Sequence, residues 1–321
     1  MSYTVTLKSS GETFTIEGRE SILRAGLRAG LNLRHQCMNG SCGGCLAELL
    51  EGEIKAFRHS DFNINHPATA FLSCCHIACS DLVLDMPEAS EANQIPLQQI
   101  KTKVSHLRQI RHDIYELTLK TPRSKVLAFL AGQRATIHLN ANTSICIGIA
   151  SCPCDGMHLH FHIDQRFYPA FADALKKGDQ ILIEAPQGEF TLNENSKNPL
   201  MFIAYETGFA QIQSMLDHVI TRDENRQIHL FCLTRSKTGF YYENALRAWR
   251  DVLDFFSYEI VYLPDNHFDN FQHFLARMQQ RRRDLKHVEI YSVMPADKIT
   301  LLKQFCLKNG HPDELLKTDQ I

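Results

Sequence analysis

Eleven cysteines lie in 321 residues, and three fall within the run Cys37-Met38-Asn39-Gly40-Ser41-Cys42-Gly43-Gly44-Cys45. Thiolates are soft ligands for iron, and the spacing C-x4-C-x2-C suits a loop wrapped around a [2Fe-2S] cluster, which takes four of them. A fourth is available in Phe71-Leu72-Ser73-Cys74-Cys75-His76, as Cys74 or Cys75. Gly40, Gly43 and Gly44 let the backbone come close to the cluster and take positive φ. Amide N–H groups aimed at the sulfurs then offset the negative charge. A zinc site would ask for paired C-x2-C motifs, and buried structural cysteines would not need glycines at this spacing. An odd cysteine count with no export signal argues against disulfides and for a reducing cytoplasm.

Other reactive side chains read more plainly. Cys152-Pro153-Cys154 reads as structural, since an intervening proline gives poor disulfide geometry, and Cys79 reads as a small buried residue. His158, His160 and His162 alternate on a strand and share one face. With Leu159, Phe161 and Ile163 opposite, they read as a wet outer face. Arg134, the loop cations Arg235 and Lys237, and the run Arg281-Arg282-Arg283 read as solvated. A formal net charge of −2 gives no global attraction for nucleic acid or anionic membrane. No stretch reaches the ~18 apolar residues of a membrane helix.

These side chains need elements to hold them. Residues 3–16 alternate as two strands around Ser9-Ser10-Gly11, Ser21–Leu27 makes a helical turn or two, and Val83-Leu84-Asp85-Met86-Pro87 ends in a strand and a proline. The polar, proline-flanked residues 87–98 predict a linker. Residues 99–193 alternate strand patterns with turns, as in an antiparallel barrel with one short helix near Phe171–Leu175. From 198 the pattern changes to buried strands (200–204, 228–233, 288–293) separated by helices (210–219 and through Leu302 and Phe305), which predicts a doubly wound parallel sheet.

With the cluster loop, the linker and this order of elements together, the chain resembles the reductase components of bacterial oxygenases, such as phenol hydroxylase reductases, and the CDP-glucoseen reductases. In that family a plant-type ferredoxin precedes a ferredoxin-NADP reductase module. The resemblance implies a multidomain α+β and α/β fold. A β-grasp ferredoxin domain spans 1–90 and a linker 91–98, followed by an antiparallel flavin-type β-barrel at 99–193 and a nicotinamide-type α/β domain at 198–321. It implies Cys37, Cys42, Cys45 and Cys74 as the cluster ligands, because Leu72 and Ser80-Asp81-Leu82 align with the segment that carries the family's last cysteine.

The cofactor motifs of that module depart from the family. The flavin motif Arg-x-Tyr-Ser falls on Ile145-Cys146-Ile147-Gly148, just before Ile149-Ala150-Ser151. The glycine-rich nicotinamide turn falls on Ala204-Tyr205-Glu206-Thr207-Gly208, where Glu206 replaces a glycine and would repel a pyrophosphate. Ser151, Thr207 and Gly208 remain as flavin and nicotinamide remnants, and no catalytic residue is assigned. Phe167 or Tyr168 offers a substitute flavin-stacking surface. The implied cofactors are one [2Fe-2S] cluster, FAD weakly bound or absent, and NAD(P)H in doubt. The implied partner is a redox protein such as an oxygenase. Three readings stay open: a single-electron carrier, an NAD(P)H-dependent FAD/[2Fe-2S] reductase, and a redox-sensing or cluster-delivery protein.

Overall fold

The alternating N-terminal residues pair as the antiparallel strands Ser2–Leu7 and Thr13–Glu17, with Val5, Leu7, Phe14 and Ile16 turned inward. The structure is a computed structural model and describes residues 2–60, 62–63, 67–140, 142–169, 171, 174–264, 268–281 and 285–321. Strand Leu82–Asp85 joins Ser2–Leu7 in parallel, and Leu46–Glu51 and Ala70–Leu72 add antiparallel, making a five-stranded sheet. Helix α1, Ile22–Arg28, is capped by the Ser21 hydroxyl, which accepts from the Arg24 N–H at 3.2 Å. It sends Ile22, Leu23 and Ala25 into the core of that sheet. A mixed sheet gripping one helix is the β-grasp arrangement expected.

The segment after this unit is laid down rather than free. The Arg34 N–H donates to Pro87 O at 3.0 Å and the Ala89 N–H to Asn32 O at 2.8 Å, and Ala89 and Ala92 are buried. Side-chain contacts also fix the same unit to the rest of the chain. Asn32 hydrogen-bonds Glu194, and Arg222 pairs with Glu12 at 2.7 Å.

The second sheet has six antiparallel strands in the order 143–148, 134–140, 180–187, 98–111, 114–120, 158–164. It curls until its two ends meet, where the Ala150 N–H donates to His160 O at 2.8 Å. Of the short helix expected near 171–175, Ala172 and Asp173 lie outside the described residues.

Two expectations fail in this unit. Cys152 and Cys154 are joined as a disulfide, because the turn Pro153–Asp155 holds their Cα atoms 5.2 Å apart. His162 is not on a wet face. It is buried beneath Phe209, Tyr241 and Tyr242, its Nδ1 lies 2.8 Å from the Tyr241 hydroxyl, and burial pushes its pKa down to about 3. The third unit covers that end of the strand. A further correction belongs to the first unit: Cys79 is exposed.

The third sheet is parallel, in the order 256–262, 228–234, 200–205, 289–294, 316–320. Every residue of Leu200–Tyr205 and Ile228–Thr234 is buried, as strands covered by helices on both faces must be. The helices are α2 (Phe209–Thr221), α3 (Glu243–Val252), α4 (Phe268–Arg281) and α5 (Ala296–Lys308). The edge strands Phe256–Tyr262 and Leu316–Gln320 are additions to the sequence reading. Strand order reverses between 200–205 and 289–294, the place where open parallel sheets bind ligands. Arg282 and Arg283 lie outside the described residues.

Candidate functional site

The loop between α1 and strand Leu46–Glu51 brings its cysteines to the far end of the first sheet's core. There the thiols gather as two pairs. The Cys37 thiol interacts with that of Cys42, and the Cys45 thiol with that of Cys74. Burial alone would raise the Cys37 thiol, but the Asn39 amide and the Cys42 and Ser41 side chains outweigh it and bring it to about 6. Cys74 and Ser73 bring Cys45 to about 7 against its burial, while Cys74, facing Cys45, is pushed up. The Gly44 N–H points at Cys42 Sγ from 3.3 Å.

Among the described residues no three His, Cys, Asp or Glu groups converge tightly enough to hold a single metal ion. Two thiol pairs instead suit two irons, each taking two thiolates, so this donor set fits a [2Fe-2S] cluster. Cys75 Sγ lies 3.7 Å from Cys74 Sγ and faces Gly40, where a Cβ would come within 2.5 Å of it. Gly40 sits at φ +82°, so both its missing side chain and its backbone state are needed there.

The switch point of the parallel sheet is filled by the chain itself. Glu206, directly after strand Leu200–Tyr205, takes φ +47° and is buried. Its carboxylate accepts from the Arg235 N–H at 2.7 Å and the Thr234 hydroxyl at 3.2 Å, and pairs with Arg111 at 2.8 Å. Arg111 also grips Asp113 at 2.6 and 3.1 Å. Arg166 reaches Asp164 at 2.8 Å and Asp113 at 3.4 Å, and Arg235 reaches Asp113 at 3.6 Å. Burial would lift Asp113, but Arg111, with His112 and Arg166, holds it below the usual carboxylate range. Burial lifts Glu206, and Arg111 and Thr234 pull it only part of the way back. A nicotinamide dinucleotide does not fit here. Its phosphate would have to displace a carboxylate already engaged by two arginines.

Flavin does not fit either. Beside Cys146, Ile147 and Gly148 the cavity measures about 90 Å³, whereas a pocket for a ligand of that size class runs to several hundred (roughly 300–1,000 Å³). The Gln211 side chain lies against Gly148, and its Nε2 donates to Gly132 O at 2.6 Å and Asp319 Oδ2 at 2.7 Å. Arg134 is engaged rather than solvated, donating to Cys146 O at 2.8 Å and Gln320 O at 2.9 Å. Arg235 is likewise not a solvated loop cation. Lys237 lies over the Tyr262 ring.

Thr207 and Gly208 line the small cavity with Phe167 and Tyr168, but Ser151 is not brought to it. The Ser151 Oγ accepts from the His160 N–H at 3.3 Å and its carbonyl from the Ser214 hydroxyl at 2.8 Å. The charge cluster of Arg111, Asp113, Arg166 and Arg235 escaped the sequence reading. Its members come from three separate turns, with Arg111 and Asp113 sharing one, and no spacing rule links the three.

Comparison with known proteins agrees with a cluster-binding domain and with the fold. Residues 5–79 match the 2Fe-2S iron-sulfur cluster binding domain. The chain is 30% identical over 250 residues, 76% of it and 75% of the relative, to the CDP-6-deoxy-L-threo-D-glycero-4-hexulose-3-dehydrase reductase of Yersinia pestis. It is 31% identical over 262 residues, 80% of it and 78% of the relative, to the terephthalate 1,2-dioxygenase reductase component 2 of Comamonas sp. The solved Amycolatopsis cytochrome P450 reductase GcoB shares the fold with a TM-score of 0.62 at 18% identity, covering 99% of this chain and 98% of that one.

Proposed function

The chain belongs to the family of ferredoxin-fused reductase components that serve oxygenases and sugar dehydrases, and from that premise we propose that it is a [2Fe-2S] single-electron carrier whose reductase-like module has given up nucleotide chemistry. The observation that carries the reading is the contrast between its two sites. The thiol pairs Cys37/Cys42 and Cys45/Cys74 suit a cluster, while the nucleotide crevice is closed by Glu206 and Gln211. A bound cluster supplies a one-electron couple. The four thiolates hold it, and loop amides such as that of Gly44 offset its charge and tune its potential.

Cys74 is the fourth ligand in this reading, since it faces Cys45, whereas Cys75 faces Gly40. The proposed division is 1–90, 91–98, 99–193 and 198–321, and the separation of the three large sheets supports it. The acceptor proposed is an oxygenase or a similar redox protein, by analogy with the named relatives. The proposed compartment is the cytoplasm. Among the described residues no helix is long and apolar enough to cross a membrane, which bears on helical spans only.

The test is cofactor extraction. Protein purified anaerobically with excess FAD and then gel-filtered should release two iron and two sulfide per chain and little flavin. Near one FAD per chain would overturn the carrier reading and restore an NAD(P)H-dependent FAD/[2Fe-2S] reductase.

A further inference from the structure

A crevice of about 540 Å³ opens between the first and second units, and Cys74 is on its wall. Five guanidinium groups line it, from Arg19, Arg24, Arg28, Arg58 and Arg123, against the carboxylates of Glu20 and Asp155. Arg28 is committed to Glu20 at 2.7 Å, and Asp155 to His158 at 3.2 Å. The other four arginines are exposed, and none has a carboxylate partner among the described residues. The Arg24 guanidinium donates to the Met157 sulfur at 3.2 Å, and Arg58 donates to the Met38 carbonyl while lying over Phe57. Phe57 is itself 46% exposed, an apolar group at the mouth of a basic recess. The whole chain carries a formal charge of −2, so this concentration of positive charge is local. A concave basic site focuses its field and draws anionic partners to one orientation.

We propose that this crevice is the electron-exchange face of the protein and that its partner presents an acidic surface. Carboxylates of the partner pair with Arg19, Arg24, Arg58 and Arg123 around a contact on Phe57, which seats the acceptor against the wall formed by Cys74. The proposal rests on the carrier reading and on Cys74 as a ligand. In each encounter the reduced cluster loses one electron and the acceptor gains one, with no proton or bond transferred.

Two acceptors of one shape and opposite charge test it: cytochrome c, whose surface is basic, and the same protein after succinylation of its lysines. Each ferric haem takes one electron from dithionite-reduced holoprotein in a stopped-flow mixer. Net charge alone favours the basic acceptor. The crevice predicts that the succinylated form is reduced faster at low salt, by about tenfold or more, and that the difference collapses as salt rises. The double variant Arg19→Glu, Arg123→Glu should erase that preference with iron, sulfide and the cluster's EPR signal unchanged. A faster reaction with basic cytochrome c, or a double variant that keeps the wild-type preference, overturns the proposal alone. Protein without iron overturns the carrier reading and this proposal together.

Discussion

Replacing Arg111 by methionine should show how strongly the second and third units are joined through charge. Arg111 ends strand Gln98–Arg111, and it reaches across to Glu206 at 2.8 Å while holding Asp113 at 2.6 Å. Its side chain is 12% exposed and that of Glu206 is 1% exposed, so solvent does little to screen the pair. Removing one partner of a buried pair costs about 3–5 kcal/mol, because the other charge is left without compensation. Arg235 remains 3.5 Å from Glu206, which puts the loss at the lower end, about 3 kcal/mol.

With a urea slope of about 2 kcal/mol per molar, the midpoint should fall by about 1.5 M. Trp249 is the sole tryptophan and lies in α3 of the third unit, so its fluorescence reports that unfolding. The sign with pH is fixed. Burial already raises Glu206, and losing Arg111 raises it further. A carboxyl with a raised folded pKa gives stability that is full below its unfolded pKa and is lost as pH rises through the folded one. Asp113, now held low mainly by Arg111, shifts the balance the same way. The deficit should therefore be larger at pH 8 than at pH 5. A midpoint within about 0.2 M of wild type at pH 8, or a deficit that grows on acidification, would refute the reasoning.

Cys74→Ser should abolish or destabilise the cluster while Cys75→Ser keeps it, read as iron and sulfide per chain. The opposite result moves the ligand to Cys75, and retention in both variants sinks the four-thiolate site. Calorimetry should find no tight binding of NADH or NADPH to wild type, nor to Glu206→Gly, since Gln211 and Asp319 still close the neighbouring space. Tight binding to wild type would refute the closed-crevice account. Asp217, raised by burial to about 7 against a hydrogen bond from Gln213, is neutral in the fold at pH 5. It contributes stability below its ordinary value of 3.8 that is lost as pH rises through about 7. Urea midpoints read through Trp249 should fall between pH 5 and pH 8, and Asp217→Asn should flatten that slope.

The parts legible in sequence are those whose cause is local. Cys37, Cys42 and Cys45 stand out through their spacing within one loop, and Leu200–Ala204 announces a covered strand through an unbroken apolar run. The strand Leu316–Gln320 was illegible because Lys317, Thr318, Asp319 and Gln320 carry no apolar pattern, only an edge position beside 289–294. His162 looked wet because alternation tells which residues share a face but not what a later unit lays over it. Glu206 was read from the sequence as hostile to a phosphate. What it does instead depends on Arg111 and Arg235, which chain folding alone brings to it.

The laid-down segment 87–98 sets how this protein meets its partners. Twelve flexible residues would let the iron-binding unit roam over roughly 20 Å. The hydrogen bonds from Arg34 to Pro87 and from Ala89 to Asn32 pin the start of the segment to the first unit, and the Arg222–Glu12 pair with the Asn32–Glu194 hydrogen bond holds that unit against the rest of the chain. In this structure the iron-binding unit is set like a socket rather than slung on an arm. On the carrier reading, donor and acceptor take turns at a surface that keeps its heading.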